Sequence, residues 1–382
     1  EAYVFVRSGS SWSSQTIFRP PFGSSAGDYF SDRAVAISDD GTYIAIGAPY
    51  DDTSFLDQGC VYIYMRSETS WSAQVKIFSP AAQPQDVFGY SLALSSTATY
   101  LAVGAYNDKV TYTGQGSVTV FVRSGNTWSA QVTIVPPGVF KNQHFGSYIA
   151  MNPAATYLAV TSVPYNVYEQ YPTVYIFTRS GSSWSYQAAI SRPSSSGSDF
   201  GQPISLSADG DYLATPGGKQ IFVYHRTGVS WSLQVSLTTS TGVRSWDDVV
   251  LSADGSMLFA GSTPSPDKSV YLFTRSGSAW VENMRITPQY SNSATDASSM
   301  FGNSVAFSSS TAILVVGDPA SNAAVYSQAI CFAGKYSSSG TCLACPPGRY
   351  GSEAGMLTCT ACPGGTYSTV TGSTTPTTCS PC

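Results

Sequence analysis

The sequence predicts an all-β protein, a β-propeller of four-stranded blades followed by a small disulfide-rich tail. A phrase centred on tryptophan recurs six times at intervals of 47 to 59 residues, a period typical of propellers and solenoids. Glycine, proline and β-branched residues interrupt every stretch long enough to form a helix. Seven of the eight cysteines lie between residues 331 and 382, which indicates a second, disulfide-stabilised region. The six tryptophans are Trp12, Trp71, Trp128, Trp184, Trp231 and Trp280.

Each period contains four segments that predict strands. First strands are predicted at 91–95, 148–152, 203–207 and 304–308, second strands at 43–48, 100–105 and 312–317, and third strands at 60–66, 117–123 and 270–275. The fourth strand begins at the tryptophan, as in 71–78. The first two strands are almost continuously apolar and rich in small residues, so we expect them in the inner part of a blade. The third and fourth alternate, which favours the outer, half-exposed part.

Two kinds of turn join these strands. Asp-Gly pairs within 38–43, 207–212 and 252–257 supply the positive φ that a tight hairpin between first and second strands needs. The tryptophan phrase, such as Arg-Ser-Gly-Ser-Ser-Trp at 7–12, predicts the hairpin between third and fourth strands. We expect its tryptophan to cover the seam between neighbouring blades and its arginine to stack on a tryptophan face.

A second repeated signature lies around the inner strands. Phe-Gly precedes the first strand at 88–89, 145–146, 200–201 and 301–302, and Gly-Ala-Pro closes a second strand at 47–49, weakened at 104–105 and 317–319. This pattern resembles the FG-GAP repeat of integrin-α-type propellers over residues 1–328, although Phe30-Ser31 and the region of Trp246 depart from it. The resemblance implies seven blades. The six first, second and fourth strands counted in the sequence favour six blades or an incomplete seventh.

The resemblance also raises the question of calcium, which this family often binds in the hairpin between first and second strands. Calcium needs six to eight oxygen ligands. The hairpins at 38–43, 207–212 and 252–257 offer too few, and those at 95–100 and 152–157 offer almost none. We therefore expect no metal and no cofactor.

Third strands outnumber the others by one. Residues 3–7 and 323–328 both have the third-strand pattern, and a propeller closed by both chain ends has one place for them. The extra strand is predicted to lie at an open edge that pairs with another chain, or to be a fifth edge strand or a linker. The candidate intermolecular strand residues are Tyr3, Val4, Phe5, Val6, Ala324, Val325 and Tyr326.

The tail, residues 329–382, repeats the unit Cys-x-x-Gly-x-Tyr at Cys331, Cys345 and Cys362. Three units in register resemble the ephrin-receptor-like cysteine-rich repeat. That resemblance implies disulfides within each unit, and zinc ligation by the Cys-x-x-Cys pairs is the alternative. Cys382 would begin a fourth unit of a longer chain, or pair with Cys60 or another molecule, and Cys60 is otherwise expected as a small buried residue at a strand start. The implied pairs are Cys331–Cys342, Cys345–Cys359 and Cys362–Cys379.

The candidate binding residues lie in three long loops between second and third strands, at 49–59, 106–116 and 162–173. Tyrosine, aspartate and asparagine together suit protein contacts or sugar stacking, because a tyrosine ring joins apolar area to a polar tip. Plain solvated loops are the alternative. The candidates are Tyr50, Asp51, Asp52, Tyr106, Asp108, Tyr112, Tyr165, Tyr168 and Tyr171.

Composition limits the function classes. A net charge of −5 and a pI near 5.0 argue against nucleic acid and anionic membranes as partners, and no apolar run reaches membrane-spanning length. Only His144 and His225 are histidines, and no catalytic motif is present, so we expect no enzyme. The crowded cysteines indicate an extracellular setting, where 192–198 and 371–378 are candidate O-glycosylation stretches.

The sequence therefore favours a non-enzymatic extracellular structural protein. In this hypothesis the chain is a subunit of a self-assembling fibre, surface layer or matrix, joined through the edge strand and the cysteine-rich tail, and its partner is itself or another extracellular protein. The alternative is the ectodomain of an adhesion receptor that binds protein or glycan through the Tyr-rich loops.

Overall fold

The computed structural model describes the chain apart from 10, 21–25, 32–33, 139–140, 165–170, 195–196, 198, 264–267, 288–299, 312, 319–325, 330–334, 339–340, 351–358, 374 and 382. The described residues form antiparallel strands and two short 3-10 helices, Ala26–Asp28 and Pro376–Thr378, which confirms the all-β prediction. Chain contacts divide the protein into two compact units, one of 1–217 with 224–232 and one of 218–223 with 233–382.

The first unit begins with a two-stranded N-terminal hairpin, followed by three complete four-stranded sheets in which sequence neighbours pair. The hairpin is β1 (Ala2–Ser8) and β2 (Ser11–Phe18). Sheet 1 is β3 (Val35–Ile37), β4 (Tyr43–Ala48), β5 (Cys60–Ser67) and β6 (Ser70–Ile77). Sheet 2 is β7 (Phe88–Leu94), β8 (Tyr100–Ala105), β9 (Ser117–Ser124) and β10 (Thr127–Ile134). Sheet 3 is β11 (Phe145–Met151), β12 (Tyr157–Ser162), β13 (Thr173–Ser180) and β14 (Ser183–Ser191).

The chain divides between the units within sheet 4, and the second unit continues with sheet 5, the three-stranded sheet 6 and the tail. Sheet 4 is β15 (Ser205–Leu206), β16 (Tyr212–Gly217), β17 (Gln220–Thr227) and β18 (Ser230–Leu237). Sheet 5 is β19 (Asp248–Leu251), β20 (Met257–Ser262), β21 (Ser269–Ser276) and β22 (Ala279–Ile286). Sheet 6 is β23 (Ser304–Ser308), β24 (Ile313–Gly317) and β25 (Tyr326–Ala329). The tail hairpins are β26 (Lys335–Ser338) with β27 (Thr341–Ala344), β28 (Arg349–Tyr350) with β29 (Thr360–Ala361), and β30 (Thr366–Tyr367) with β31 (Ser380–Pro381).

The predicted blade pattern is confirmed, since five sheets contain four antiparallel strands in sequence order. The number of blades and the domain boundary after residue 328 remain predictions. The extra third strand is now located in part. β25 pairs with β24 in the third-strand position, whereas β1 pairs with β2 in a separate sheet. Ala324 and Val325 lie outside the described residues, and Tyr326 begins β25.

The Phe-Gly and Gly-Ala signatures have one physical cause, the close approach of consecutive sheets. A Cβ added to Gly104 in β8 would lie 2.2 Å from the carbonyl oxygen of Gly146, at the start of sheet 3. Gly47 in sheet 1 has the same relation to Gly89 in sheet 2, at 2.1 Å. Because Gly89 and Gly146 also have φ near +90°, both members of each contact require glycine.

The tryptophan phrase joins the outer strands of neighbouring sheets. The indole Nε1 of Trp71 donates to Oε1 of Gln15 at 2.7 Å, from sheet 1 to the N-terminal hairpin. Trp280 makes the equivalent bond to Gln234 at 2.8 Å in the second unit. These tryptophans therefore bind the glutamine three residues after the preceding tryptophan of the repeat, whereas Trp184 Nε1 and Gln131 Oε1 have no hydrogen-bond partner in the described residues. The prediction that the tryptophans cover the seam is confirmed, with this hydrogen bond as an addition.

The predicted stacking of arginine on tryptophan is wrong for Arg123, Arg179 and Arg226, which lie over tyrosine rings. The guanidinium of Arg123 lies 4.4 Å from the ring centroid of Tyr43, a residue of the preceding sheet. It also donates from Nε to the carbonyl of Ala98 at 2.8 Å, from Nη2 to that of Thr97 at 3.1 Å and from Nη1 to that of Gly125 at 3.0 Å. The arginine thus links two hairpins of its own sheet, because their backbone carbonyls accept hydrogen bonds from its guanidinium. Arg179 repeats this arrangement over Tyr100.

Replacing Arg123 with alanine should destabilise the protein by about 2 kcal/mol, because charge-assisted hydrogen bonds and a cation–π contact are lost together. Arg123→Lys should recover little of this, since an ammonium cannot reach several carbonyls in the planar fork geometry. Urea unfolding measures both variants, with Lys141→Ala at an exposed position as the control. Equal stability of Arg123→Ala and Lys141→Ala would contradict this role.

The tail contains two of the three predicted disulfides. Cys345 pairs with Cys359 and Cys362 with Cys379, which rules out zinc ligation by these four thiols. Cys331 and Cys382 lie outside the described residues, so the pair Cys331–Cys342 remains a prediction. Cys60 is free and fully buried at the start of β5, as predicted from its position.

Candidate binding surface and open strand edge

The loop at 49–59 is held from inside by Asp51, which is 2% exposed. Its Oδ1 accepts the backbone N–H and the hydroxyl of Thr53, and its Oδ2 accepts the ammonium of Lys76 at 2.8 Å and the hydroxyl of Tyr62 at 3.4 Å. Burial opposes ionisation, but the Lys76 and Thr53 contacts outweigh it and lower the pKa of Asp51. Asp51 therefore fixes the loop and does not present a carboxylate at the surface.

The loop at 106–116 repeats this design with different partners. Asp108 is 5% exposed and accepts the hydroxyl of Ser117. Oε1 of Gln115 accepts the backbone N–H groups of Thr111 and Tyr112 at 2.9 and 3.4 Å. Side chains at the bases of two loops thus satisfy the backbone of the loops, which makes them defined surfaces.

Each loop is also paired to the segment that leads into the next sheet. The carbonyls of Leu56 and Gln58 accept the backbone N–H groups of Gln85 and Phe88 at 2.7 and 3.0 Å. The following loop repeats the pairing with 142–145, and parallel bridges join Gly59 to Phe88 and Gly116 to Phe145. The repeated Gln-Gly at 58–59 and 115–116 is a signal that the sequence analysis missed.

Four of the exposed residues of these loops are apolar or aromatic, and Tyr112 alone among the four was a candidate. Phe55 and Leu56 are 45% and 60% exposed, and Val110 and Tyr112 are 48% and 41% exposed. The two loops are linked because Gln85 donates its N–H to Leu56 and accepts the side-chain amide of Asn107 at 2.6 Å. We call Phe55, Leu56, Val110 and Tyr112 the loop face. Apolar residues inside otherwise polar loops were the available signal.

The remaining candidates are dispersed around the loop face. Tyr50 is half-buried and lies 5.0 Å from the ring of Tyr29, and Asp52 is exposed and accepts the N–H of Asp57. Tyr106 is packed between Tyr90 and His144. In the third loop, Tyr171 is 59% exposed with the guanidinium of Arg192 at 4.7 Å. Tyr165 and Tyr168 lie outside the described residues.

Asp86 lies in the segment paired with the first loop and is fully buried. One carboxylate oxygen accepts the N–H of Gln83, and the other has no partner among the described residues. Burial raises the pKa of this carboxyl to about 6, and the charge of Asp108 adds to the rise. Because the pKa of Asp86 is higher in the folded than in the unfolded chain, the protonated carboxyl favours folding. This contribution to the free energy of unfolding is present at acid pH and is lost as pH rises through 6.

Asp86→Asn should therefore stabilise the protein at pH 7.5 by about 2 kcal/mol relative to the wild type, because an amide keeps the acceptor and never ionises. At pH 4.0 the two chains should be nearly equal in stability. Urea unfolding at both pH values measures the difference, and Asp52→Asn at an exposed position is the control. A stabilisation that does not depend on pH would contradict the assigned titration.

The second candidate region is β1. When Arg7 is aligned with the arginine of the third strand in a complete sheet, β1 is equivalent to that third strand. Its residues are nevertheless more exposed. Residues 2–5 of β1 are partly or fully exposed, whereas the equivalent residues 61–64 of β5 are buried. The difference arises because β4 covers one edge of β5, while β1 pairs with β2 alone in the described part of the chain. Of the candidate residues here, Tyr3 is 51% exposed and Val4, Phe5 and Val6 are partly buried.

Even so, β1 is firmly placed in its unit. Val4 and Ala2 pack against the core that contains Ile44, Ile46 and Tyr64. Phe18 at the end of β2 stacks on Tyr64 with ring centroids 4.0 Å apart. The hairpin is therefore ordered by core contacts, and in the described residues β1 is paired along one edge, with β2.

Repeated four-stranded antiparallel sheets with close glycine contacts between neighbours define this protein as a β-propeller. Residues 12–64 and 71–121 match the family model of the FG-GAP repeat. Residues 334–379 match the model described as tyrosine-protein kinase ephrin type A/B receptor-like. The chain thus contains FG-GAP repeats and an ephrin-receptor-like cysteine-rich region, and both, together with the disulfides, fit an extracellular location.

Solved structures share the fold at low sequence identity. A protein from Lactobacillus plantarum is 14% identical with a TM-score of 0.57, over 91% of this chain and 89% of its own. A provisionally assigned 6-phosphogluconolactonase from Bacteroides uniformis is 13% identical with a TM-score of 0.54, over 77% of this chain and 80% of its own. A second such protein, from Bacteroides fragilis, is 13% identical with a TM-score of 0.51, over 74% and 76%. No curated protein sequence matches the chain.

None of the helices in the described part of the chain has the length and hydropathy needed to cross a bilayer. The same residues contain no group of three or more His, Cys, Asp or Glu side chains placed to hold a metal ion.

Proposed function

We propose that this protein is a non-catalytic extracellular structural subunit that associates with further copies through the open edge of β1, with the cysteine-rich tail as a second connection. The observation that carries the proposal is the exposure of residues 2–5 in β1, where the same positions of β5 are buried under a neighbouring strand. An ordered strand with an unpaired edge is a template for pairing with another chain.

The packing of both histidines supports the non-catalytic part of this proposal. His144 packs edge-on to Tyr106, and its Nδ1 lies 3.2 Å from the carbonyl of Val163. Burial lowers the pKa of His144. His225 lies with its ring 4.7 Å from that of Tyr212. Each histidine thus has a packing role. The two proteins with a lactonase assignment are 13% identical to this chain, so the similarity shows a shared fold and does not transfer their activity.

A proline at Phe5 tests the edge. Counting from the pair Ser8–Ser11 that closes the two-residue turn, Phe5–Ser14 is a non-hydrogen-bonded pair, so the N–H of Phe5 points away from β2. Phe5→Pro removes this outward donor without removing a bond to β2. Phe5→Ala is the matched control, because it removes the ring and keeps the N–H.

Sedimentation velocity and negative-stain microscopy over a range of protein concentrations give the readout. The wild type and Phe5→Ala should form regular assemblies, and Phe5→Pro should remain small while retaining the thermal melting of Phe5→Ala. Loss of assemblies on reduction would place the tail in the contact as well. A wild type that stays monomeric at every concentration, with its disulfides intact, would reject the proposed function.

The loop face supports a second candidate function, adhesion to a protein or glycan partner. Four exposed apolar side chains on internally hydrogen-bonded loops form a preorganised surface, which is the kind that binds with little loss of entropy. Leu56→Asp with Tyr112→Ser should then abolish attachment of the protein to cell surfaces or matrix and leave its unfolding unchanged. Tyr186→Ser, at a 48% exposed position on β14, is the control. Equal attachment of both variants would remove this candidate.

A further inference from the structure

The surface beside β1 has the features of a packing site for two further strands. Val35 and Ile37 in β3 are 52% and 54% exposed. Their equivalents in sheet 2, Leu92 and Leu94, are partly buried because they pack against a core that sheet 1 shares with sheet 2. Sheet 2 follows a complete sheet, whereas sheet 1 follows a hairpin that supplies outer strands alone. The missing neighbours of Val35 and Ile37 are therefore an inner strand pair.

The repeat defines the chemistry of that pair: a first and a second strand of mainly small and branched apolar residues, in most sheets with a glycine at or next to the end of the second strand. β23 and β24 have this composition, Ser-Val-Ala-Phe-Ser and Ile-Leu-Val-Val-Gly. Their sheet is also the one whose outer half is incomplete, since β25 is its last strand in the described residues. In the described part of the chain, β25 pairs with β24 at residues 313–316 and no fourth strand lies beside it.

We propose that the partner of the β1 edge is the β23–β24 pair of a second copy, in which β1 replaces β25. The exchanged sheet would contain β23 and β24 from one copy and β1 and β2 from the next, and its inner pair would cover Val35 and Ile37. The gain comes from supplying the fourth strand that this sheet lacks in the described residues and from burial of two exposed aliphatic side chains. Because donor and acceptor are different surfaces, the contact is head-to-tail and propagates into a filament. This inference rests on the proposed self-association.

The strand register of the complete sheets predicts which residues of β1 and β24 would lie opposite each other, and therefore where a disulfide cross-link would test the exchange. Ala45 of β4 lies opposite Ile63 of β5, three residues before the arginine. The same spacing places Val4 of β1 opposite Val315 of β24. Antiparallel partners at a non-hydrogen-bonded position lie within the Cα distance that a disulfide needs.

Two single variants, Val4→Cys and Val315→Cys, are made with different tags in a Cys382→Ser background, mixed under assembly conditions and oxidised. A disulfide between the two chains cannot form within one molecule, so a heterodimer on a non-reducing gel, mapped by mass spectrometry to 4 and 315, reports exchange. Val4→Cys mixed with Ala102→Cys is the control. Ala102 is the equivalent second-strand position in sheet 2, where Val120 already lies opposite it.

We expect the heterodimer as the main product with Val315→Cys and none with Ala102→Cys. The double variant Val4→Cys/Val315→Cys tests the opposite outcome, a cross-link within one chain. If it cross-links within one chain while the mixture of single variants does not, β1 completes the sheet of its own molecule and the inference is overturned. Assemblies that form without any cross-link between 4 and 315 would overturn the exchange and leave the proposed function intact, whereas absence of assemblies would reject both.

Discussion

Gly104→Ala is expected to destabilise the protein by about 3 kcal/mol, at the upper end of the cost of overpacking a core. The added Cβ would lie 2.2 Å from the carbonyl oxygen of Gly146 and 2.3 Å from the hydroxyl of Ser91. The closest atom belongs to the backbone of the next sheet, so relief requires the two sheets to separate. Urea unfolding followed by tryptophan fluorescence measures the loss.

Gly181→Ala is the matched control for this prediction. Gly181 lies in the turn between β13 and β14 with φ +60°, and an added Cβ would meet nothing within 4 Å. Its replacement should cost about 1 kcal/mol, from backbone conformation alone. If Gly104→Ala costs no more than Gly181→Ala, close approach of the sheets does not explain the Gly-Ala signature.

Cys345→Ser is expected to unfold its part of the tail while the propeller sheets stay folded. The disulfide to Cys359 closes a loop with a sequence separation of 14, and such a cross-link is worth about 3 kcal/mol. The described tail buries little else, with Cys345, Cys359, Ser368 and Ser373 as its buried residues. A module this small has no apolar core to compensate for the loss.

Hydrogen exchange resolves this effect by region. The amides of Gly348, Cys362 and Gly372, which donate to Ser368, Gly348 and Cys345 in the native tail, should lose protection in Cys345→Ser. Cys60→Ala is the control, since Cys60 is free and buried in sheet 1, and it should lower protection in β5 and leave the tail amides unchanged. A tail that stays protected in Cys345→Ser would show that its hydrogen bonds are sufficient.

The repeated elements of the fold were predictable because each repeat has the same local physics. The Asp-Gly hairpins, the small residues of the inner strands and the Trp-centred turns recur with the same spacing, and sheets 1 to 5 follow them. The partner of the arginine was not predictable from its own phrase. Tyr43 lies 80 residues before Arg123, and only the approach of two sheets brings the rings and guanidinium together.

The sequence predicted that loops 49–59 and 106–116 are surface features, and both contain exposed residues. Binding by their candidate residues stays a prediction. The sequence did not show which loop residues face inward, because Asp51 and Asp108 are buried by partners from other strands, Lys76 and Ser117. Phe55 and Leu56 are exposed in the same loop and were not singled out from the sequence. The extra third strand was predicted by counting strands, and the described residues place β1 against β2 and β25 against β24. The free edge of β1 stays a prediction.

Hydrogen exchange at the backbone amide of Phe5, in dilute and in assembled protein, tests the central claim most directly. Tyr64, two residues before Arg66 as Phe5 is before Arg7, is the internal reference, since it lies opposite Ile44 on β4. The open-edge account predicts rapid exchange at Phe5 in dilute protein and protection comparable to that of Tyr64 after assembly. Protection at Phe5 that is already equal to that of Tyr64 in the dilute monomer would contradict it, because the edge of β1 would then be occupied within one molecule.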